Sequence, residues 1–194
     1  MRARPAAAFL TVAAACSLAA CGAERQTVPA ETVGQDAPHN QFRFGSVGLR
    51  IELPRVASPA ERKAPGVFRA SLGQSFIAAY AYRRREQLPR NARELEAARR
   101  RLVRQIRKRD SSFRLVRSRA TRAAGGRAVE VVGDQRIDGG TFRTRSLHVY
   151  KGDGEYVLDM LAPVNDFPGM DRTFFSPAVR SLAVSGKVES RGRT

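Results

Sequence analysis

Two histidines, two cysteines and a concentration of arginines are the side chains of this 194-residue chain whose types could do chemistry. His148 could act as a general base, but a nucleophilic triad needs it beside a hydroxyl or thiol and a carboxylate. Only the fold can bring such partners together, and a histidine packed in a strand, on the face of Phe142 and Tyr150, is the simpler account of it. His39 lies far away in a polar segment, so the two histidines make a poor metal pair. The carboxylates Asp134, Asp138, Asp153, Glu155 and Asp171 fall mainly at turns or element ends, where solubility and turn chemistry explain them. Gly152-Asp153-Gly154 has the glycines of a phosphate cradle, yet no Lys-Ser/Thr follows and no helix opens behind it, so it reads as a hairpin turn. These residues predict a chain that is not an enzyme and takes no cofactor or metal. The competing reading is a small hydrolase or transferase using His148.

The cysteines carry a different chemistry. Met1-Arg2-Ala3-Arg4 is a short positive segment, Ala6 to Ala15 is apolar, and Leu18-Ala19-Ala20-Cys21 follows. That order is the order of a secretory signal peptide. Its last four residues resemble the lipobox of bacterial lipoproteins, in which small side chains precede a cysteine whose sulfur takes a diacylglycerol thioether. The resemblance implies cleavage before Cys21, attachment to a bacterial membrane through Cys21, and an exported location on the periplasmic or extracytoplasmic side. The apolar run is about 15 residues, short of the ~20 that span a bilayer. Cys16 lies within the leader, so removing it leaves no free thiol for a disulfide, a zinc site or a nucleophile.

Charge is the third signal. The chain has 35 Lys and Arg against 18 Asp and Glu, a formal +17. Between Arg83 and Arg122 stand 16 basic residues and four acids, so most of the excess is concentrated there. Within that stretch Asn91 and Glu94 have capping-box spacing, and Leu95, Ala98, Leu102 and Ile106 recur at helical intervals. At 100° per residue, Arg93, Arg100, Arg101, Arg104, Arg107 and Lys108 fall on the other side. The pattern predicts an amphipathic helix docked by its leucine stripe, with a basic back. Nucleic acid is the usual reader of such a surface, but export makes it an unexpected partner unless the chain serves DNA uptake. Anionic lipid headgroups, anionic envelope polymers or an envelope protein are the expected partners. The excess of arginine over lysine is also what a GC-rich coding sequence produces.

Around these residues the elements can be placed by period and punctuation. Residues 21–44 read as a flexible tether after the leader at 1–20, 45–186 as one folded domain, and 187–194 as a polar tail. Leu49, Ile51 and Leu53 alternate with Arg50 and Glu52 as a half-buried strand. Phe68 to Leu72 and Ser75 to Arg83 form a pair across Gly73-Gln74, the second apolar on both sides and therefore central. After the helix, segments 113–120, 127–136, 141–150 and 156–162 are separated by Gly-rich or Asp-Gly turns and read as an antiparallel meander. A loop through Phe167-Pro168-Gly169 leads to a closing helix with Phe174, Phe175, Val179 and Leu182, opened by Ser176-Pro177.

The expected class is thus α+β, an antiparallel sheet of about six to seven strands with helices on its faces. The order resembles the PsbP-like family of α/β/α sandwich domains. The residues that carry the resemblance are Gly48–Pro54, the basic helix, Gly126–Glu130, Gly154–Leu158 and the closing Phe175 to Leu182. The tryptophan often found after the opening strand is missing. The resemblance implies a non-enzymatic accessory or binding role in the cell envelope, with assembly of a membrane complex as a further possibility, and supplies no catalytic residues.

Overall fold

The structure, a computed structural model, describes residues 39–188; the leader, Cys21 and residues 21–38 of the expected tether lie outside the described residues, as do residues 189–194. Among the described residues there are ten strands where about seven were expected, and the order of strands, long helix, four-strand meander and closing helical segment is as expected. β3 (Ala60–Glu61), β4 (Gly66–Leu72), β5 (Ser75–Arg83), β6 (Arg114–Ala123), β7 (Gly126–Ile137), β8 (Gly140–Lys151) and β9 (Gly154–Pro163) form an antiparallel seven-stranded sheet in the order β3-β4-β5-β9-β8-β7-β6. β5 is interior, as its two-sided apolar pattern requires. The hairpin between β7 and β8 turns on Asp138 and Gly139, both with positive φ (48° and 80°), the geometry that selects Asp-Gly in a two-residue loop.

The opening strand β2 (Leu49–Pro54) is not part of that sheet. It pairs with β1 (His39–Phe44) and with β10 (Ala183–Val184) in a separate three-stranded sheet. Residues 39–44, expected in the tether, are therefore structured. Phe42 and Phe44 alternate toward the core, and Phe44 stacks on Phe68 at 5.1 Å between ring centroids. The polar neighbours His39, Asn40, Gln41 and Arg43 hide this alternation in the sequence.

One face of the large sheet is closed over its central strands. Leu49, Ile51 and Leu53 of β2 meet Leu147, Val149, Tyr156, Leu158 and Met160. The closing helical segment completes this layer. It runs as α2 (Phe167–Met170), a π-helical turn (Asp171–Phe175) and α3 (Ser176–Ser181). Pro177 stands in the first turn of α3, as expected, but the helical segment begins before it: Phe175 already has helical φ and ψ. The widened π turn accommodates a proline that lacks an N–H. Phe167, expected in a loop, begins the segment and is buried.

On the opposite face lies α1 (Ala92–Arg109). Asn91 caps it by accepting from the Glu94 amide at 2.9 Å, and Glu94 reaches back to the Arg90 amide at 2.7 Å. Leu95, Ala98 and Val103 are its buried residues; Leu102 and Ile106 are only partly covered. The stripe is rotated because α1 sits over β6 and β7, against Phe113, Val129 and Val131, and leaves the middle of the sheet open beside it.

Candidate functional site: the basic helix and the cleft beside it

The six cations singled out on α1 are all exposed. Arg100 pairs with Glu96 at 3.3 Å. Among the described residues no carboxylate lies within 4.0 Å of Arg93, Arg101, Arg104, Arg107 or Lys108. Arg99, which the sequence reading left aside, takes the structural part: it grips Glu96 at 2.5 Å and donates to the Ser118 hydroxyl on β6. The outer face of α1 is thus a row of cations whose backbone is fixed by the buried side.

Beside α1 the sheet is uncovered over β5, β9 and β8, forming a cleft of about 740 Å³. This is within the usual range of ligand pockets. Its floor follows from strand register. Tyr82, Glu155, Tyr150 and Arg127 form one row across four strands; Tyr80, Val157, His148 and Val129 form the next; Ala78, Asp159, Ser146 and Val131 form a third. Arg101, Gln105 and Arg109, one turn apart each, line the helix side.

His148 Nδ1 lies 2.7 Å from Glu155 Oε1, and Arg84 Nε donates to Glu155 Oε2 at 2.5 Å. Glu155 is only 5% exposed. It is not a turn residue kept for solubility, as its place in the sequence suggested. Burial pushes its carboxyl upward, but the hydrogen bond and charge of His148, with those of Arg84, outweigh this and hold it below the usual carboxylate range. Asp159 behaves oppositely. Burial pushes it up, only partly offset by the Ser146 hydroxyl that donates to Oδ1 and by His148 and Arg109. Tyr80 and Tyr82 stack at 6.5 Å, with the Arg84 guanidinium 5.2 Å from the Tyr82 ring centre. Thr144 Oγ1 is buried in the same lining without a partner.

The cleft brings together His148, a carboxylate and a hydroxyl, but not as a triad. The Ser146 hydroxyl is bonded to Asp159, while His148 is bonded to Glu155. Sequence reasoning had placed His148 on this face without seeing that Glu155 and Asp159 share it. The signal was the turn position: once Gly152-Asp153 is the loop of the β8–β9 hairpin, Tyr150 must face Glu155 and Ser146 must face Asp159. Among the described residues no group of three or more potential metal ligands is clustered, and no helix is long and apolar enough to cross a membrane.

No family model and no curated protein matches the sequence. Solved structures do match the fold. The cyanobacterial PsbP protein of Synechocystis superposes with a TM-score of 0.58 at 10% identity, covering 79% of this chain and 95% of that one. LpqN of Mycobacterium tuberculosis, a protein involved in cell envelope biogenesis, superposes with a TM-score of 0.51 at 15% identity, over 76% and 90% of the two chains. A protein of unknown function from Pseudomonas aeruginosa, PA94, gives 0.50 at 12% identity, over 75% and 96%. The architecture is PsbP-like: two antiparallel sheets with helices, the large sheet sandwiched between α1 and the closing segment.

Proposed function

We propose that this chain is a lipid-anchored bacterial envelope protein, a non-catalytic binding or accessory module that presents the outer face of α1 to an anionic surface. The observation that carries the reading is the geometry of that face: six exposed cations on one side of a helix whose other side is docked, five of them without a carboxylate partner. Unpaired cations on a rigid helix keep their field for something outside the chain. The leader ending in Leu18-Ala19-Ala20-Cys21 supplies the other half of the reading. Two acyl chains at ~0.8 kcal/mol per buried methylene hold a protein stably on a membrane. Each cation near an anionic bilayer then adds about 1 kcal/mol. LpqN's involvement in envelope biogenesis is consistent with such a setting.

Two measurements test it. Intact mass of membrane-extracted protein should show a chain starting at Cys21 with added diacylglycerol, absent from Cys21→Ser; retention of residues 1–20 without lipid would remove the anchor from the reading. Separately, the unlipidated Cys21→Ser chain should bind phosphatidylglycerol vesicles, with affinity falling steeply between 50 and 300 mM salt. The same chain carrying Arg93→Gln, Arg104→Gln, Arg107→Gln and Lys108→Gln should lose at least tenfold. Equal binding by the two chains would remove α1 as the contact surface.

The catalytic reading has one observation in its favour, the His148–Glu155 pair in a cleft that also holds Ser146. A hydrolase working this way would label at Ser146 with a fluorophosphonate, and Ser146→Ala would abolish the labelling. The expected result is no labelling in either protein.

A further inference from the structure

At the end of the large sheet, next to the cleft and away from the outer face of α1, the hairpin turns of β6–β7 and β8–β9 and the segment before α1 enclose a second groove of about 560 Å³. Its lining includes Arg84, Arg90, Arg122, Arg127 and Lys151, against the two acids Glu86 and Asp153. Asp153 is already occupied: it pairs with Arg83 at 3.3 Å and accepts from the Val188 amide at 3.3 Å. Arg84 is likewise committed to Glu155.

The unusual feature is in the register. Arg122 and Arg127 stand directly opposite each other on β6 and β7, and among the described residues neither has a carboxylate within 4.0 Å. Like charges in directly opposed positions of an antiparallel pair repel and destabilise the sheet. Elsewhere on β6 and β7 the fold avoids this: Arg119 faces Glu130, and Arg114 faces Asp134. Lys151 adds a third charge at the rim: it follows Tyr150, which faces Arg127, so its side chain leaves the sheet on the other side. Its Nζ donates to the carbonyls of Val184 at 2.7 Å and Ala124 at 3.2 Å. An ammonium has three protons, so one remains for another acceptor.

We propose that this groove binds a phosphoryl group, with the opposed Arg122 and Arg127 as its ligands and Lys151 adding charge at the rim. Two guanidiniums with five N–H donors each suit a dianion with three free oxygens better than a single carboxylate, which one bidentate arginine would satisfy. The bound anion would turn the Arg122–Arg127 repulsion into shared attraction. The phosphoryl group could be that of a soluble phosphate ester or of a phosphomonoester lipid, and the two sources are separable. The site is independent of the α1 reading, because its residues lie at strand ends of the sheet and none is on the helix.

The test uses the full chain carrying Cys21→Ser, with and without Arg122→Gln or Arg127→Gln, and Arg55→Gln, an exposed arginine outside both surfaces, as the control. Melting and calorimetric titration are run with inorganic phosphate and with glycerol phosphate against chloride at equal ionic strength. Vesicles containing phosphatidic acid form the lipid arm, compared with phosphatidylglycerol vesicles of equal charge. Each groove variant should melt higher than its parent without ligand, because the repulsion is gone. It should also weaken the phosphoryl ligand at least tenfold, while Arg55→Gln leaves that affinity within twofold. Binding by the soluble esters assigns a soluble ligand; groove-dependent preference for phosphatidic acid alone assigns a lipid. No phosphoryl binding in either arm, or binding that is indifferent to Arg122 and Arg127, overturns the proposal. Vesicle binding through α1 could still hold in that case, so the two readings fail separately.

Discussion

The two faces of the seven-stranded sheet use arginine in opposite ways. On the face closed by the small sheet and the closing helical segment, each central arginine has a carboxylate. Arg145, 7% exposed, donates to Glu130 at 2.6 and 2.9 Å, to Asp171 at 2.5 Å and to the Ser176 hydroxyl at 2.9 Å. Its guanidinium also lies 4.8 Å from the Phe175 ring centre, and Arg143 grips Asp134 at 2.6 Å. These contacts sew the π-helical turn to β7 and β8. On the α1 face Arg84 and Arg99 are paired, with Glu155 and Glu96, but most arginines on the outer side of α1, and Arg122 and Arg127 beside it, stand without such partners. A coding bias toward arginine would raise the count on both faces, but it would not sort paired from unpaired. What separates the two regions is the supply of carboxylates, and that is a property of the fold.

Breaking the paired side should have the largest effect. Glu130 is 2% exposed, and Arg145→Ala would leave it with only Arg117 and Arg119, both largely solvated, at 3.3 and 3.1 Å. Removing one partner of a buried pair costs about 3–5 kcal/mol. For a domain of this size that is a drop in melting temperature of roughly 6–20 °C. The effect has a definite pH dependence. Burial raises the Glu130 carboxyl, but Arg145 and then Arg119 and Arg117 outweigh it and hold the group below its ordinary value. A carboxylate depressed in the folded state contributes stability above its unfolded pKa of about 4.3, lost as pH falls through the folded value. The gap between parent and Arg145→Ala should therefore be full at pH 7 and shrink in acid. A variant that melts within 2 °C of its parent would mean that the network is ornamental.

The cleft side should respond with the opposite sign. Asp159 is raised by burial, so it favours the folded state only in its neutral form. A raised carboxyl contributes stability below its unfolded pKa of about 3.9, which is lost as pH rises through the folded value. At pH 7, well above that unfolded value, the carboxyl costs stability whether it stays ionised or takes up a proton. Asp159→Asn keeps an acceptor for the Ser146 hydroxyl and removes the charge. It should raise the melting temperature by about 2–4 °C, the scale of about 1 kcal/mol in a domain this size, and the gain should vanish toward pH 3. A lower melting temperature at neutral pH would show Asp159 to be held by attraction, as Glu130 is, and would erase the contrast between the faces.

How much of this was legible in the sequence differs along the same line. Periodicity and turn residues placed the meander, the bounds of β5 and the cap of α1, because each is decided by residues within a few positions of one another. The small sheet was not legible. β2 pairs with β10 across more than 130 residues through a two-residue contact, and β1 carries only Phe42 and Phe44 as apolar marks. The π turn was hidden by Pro177, which reads locally as a helix start. The basic face of α1 could be listed residue by residue from 100° steps. The cleft could not, since His148 and Glu155 meet only if the β8–β9 loop is two residues long; a one-residue change of register would send Glu155 to the opposite face.

The smallest effect sharpens the comparison furthest. Arg104 is exposed near the middle of α1, with Arg100 and Lys108 four residues away on either side and Arg101 and Arg107 three away. Like-charge pairs at these spacings destabilise a helix by about 0.2–0.5 kcal/mol each. It precedes the last turn, where Arg107, Lys108 and Arg109 gain from the helix dipole. Arg104→Gln should therefore leave stability unchanged or raise it by a few tenths of a kcal/mol, resolvable by chemical denaturation of the two proteins side by side. If the substitution instead destabilises by more than 1 kcal/mol, Arg104 has a partner within the fold and the outer face of α1 belongs with the paired arginines. If stability holds while affinity for phosphatidylglycerol vesicles falls, the same residue is neutral to folding and needed for contact. That combination is the signature of a surface kept for something other than the chain itself, and no residue on the closed face can show it.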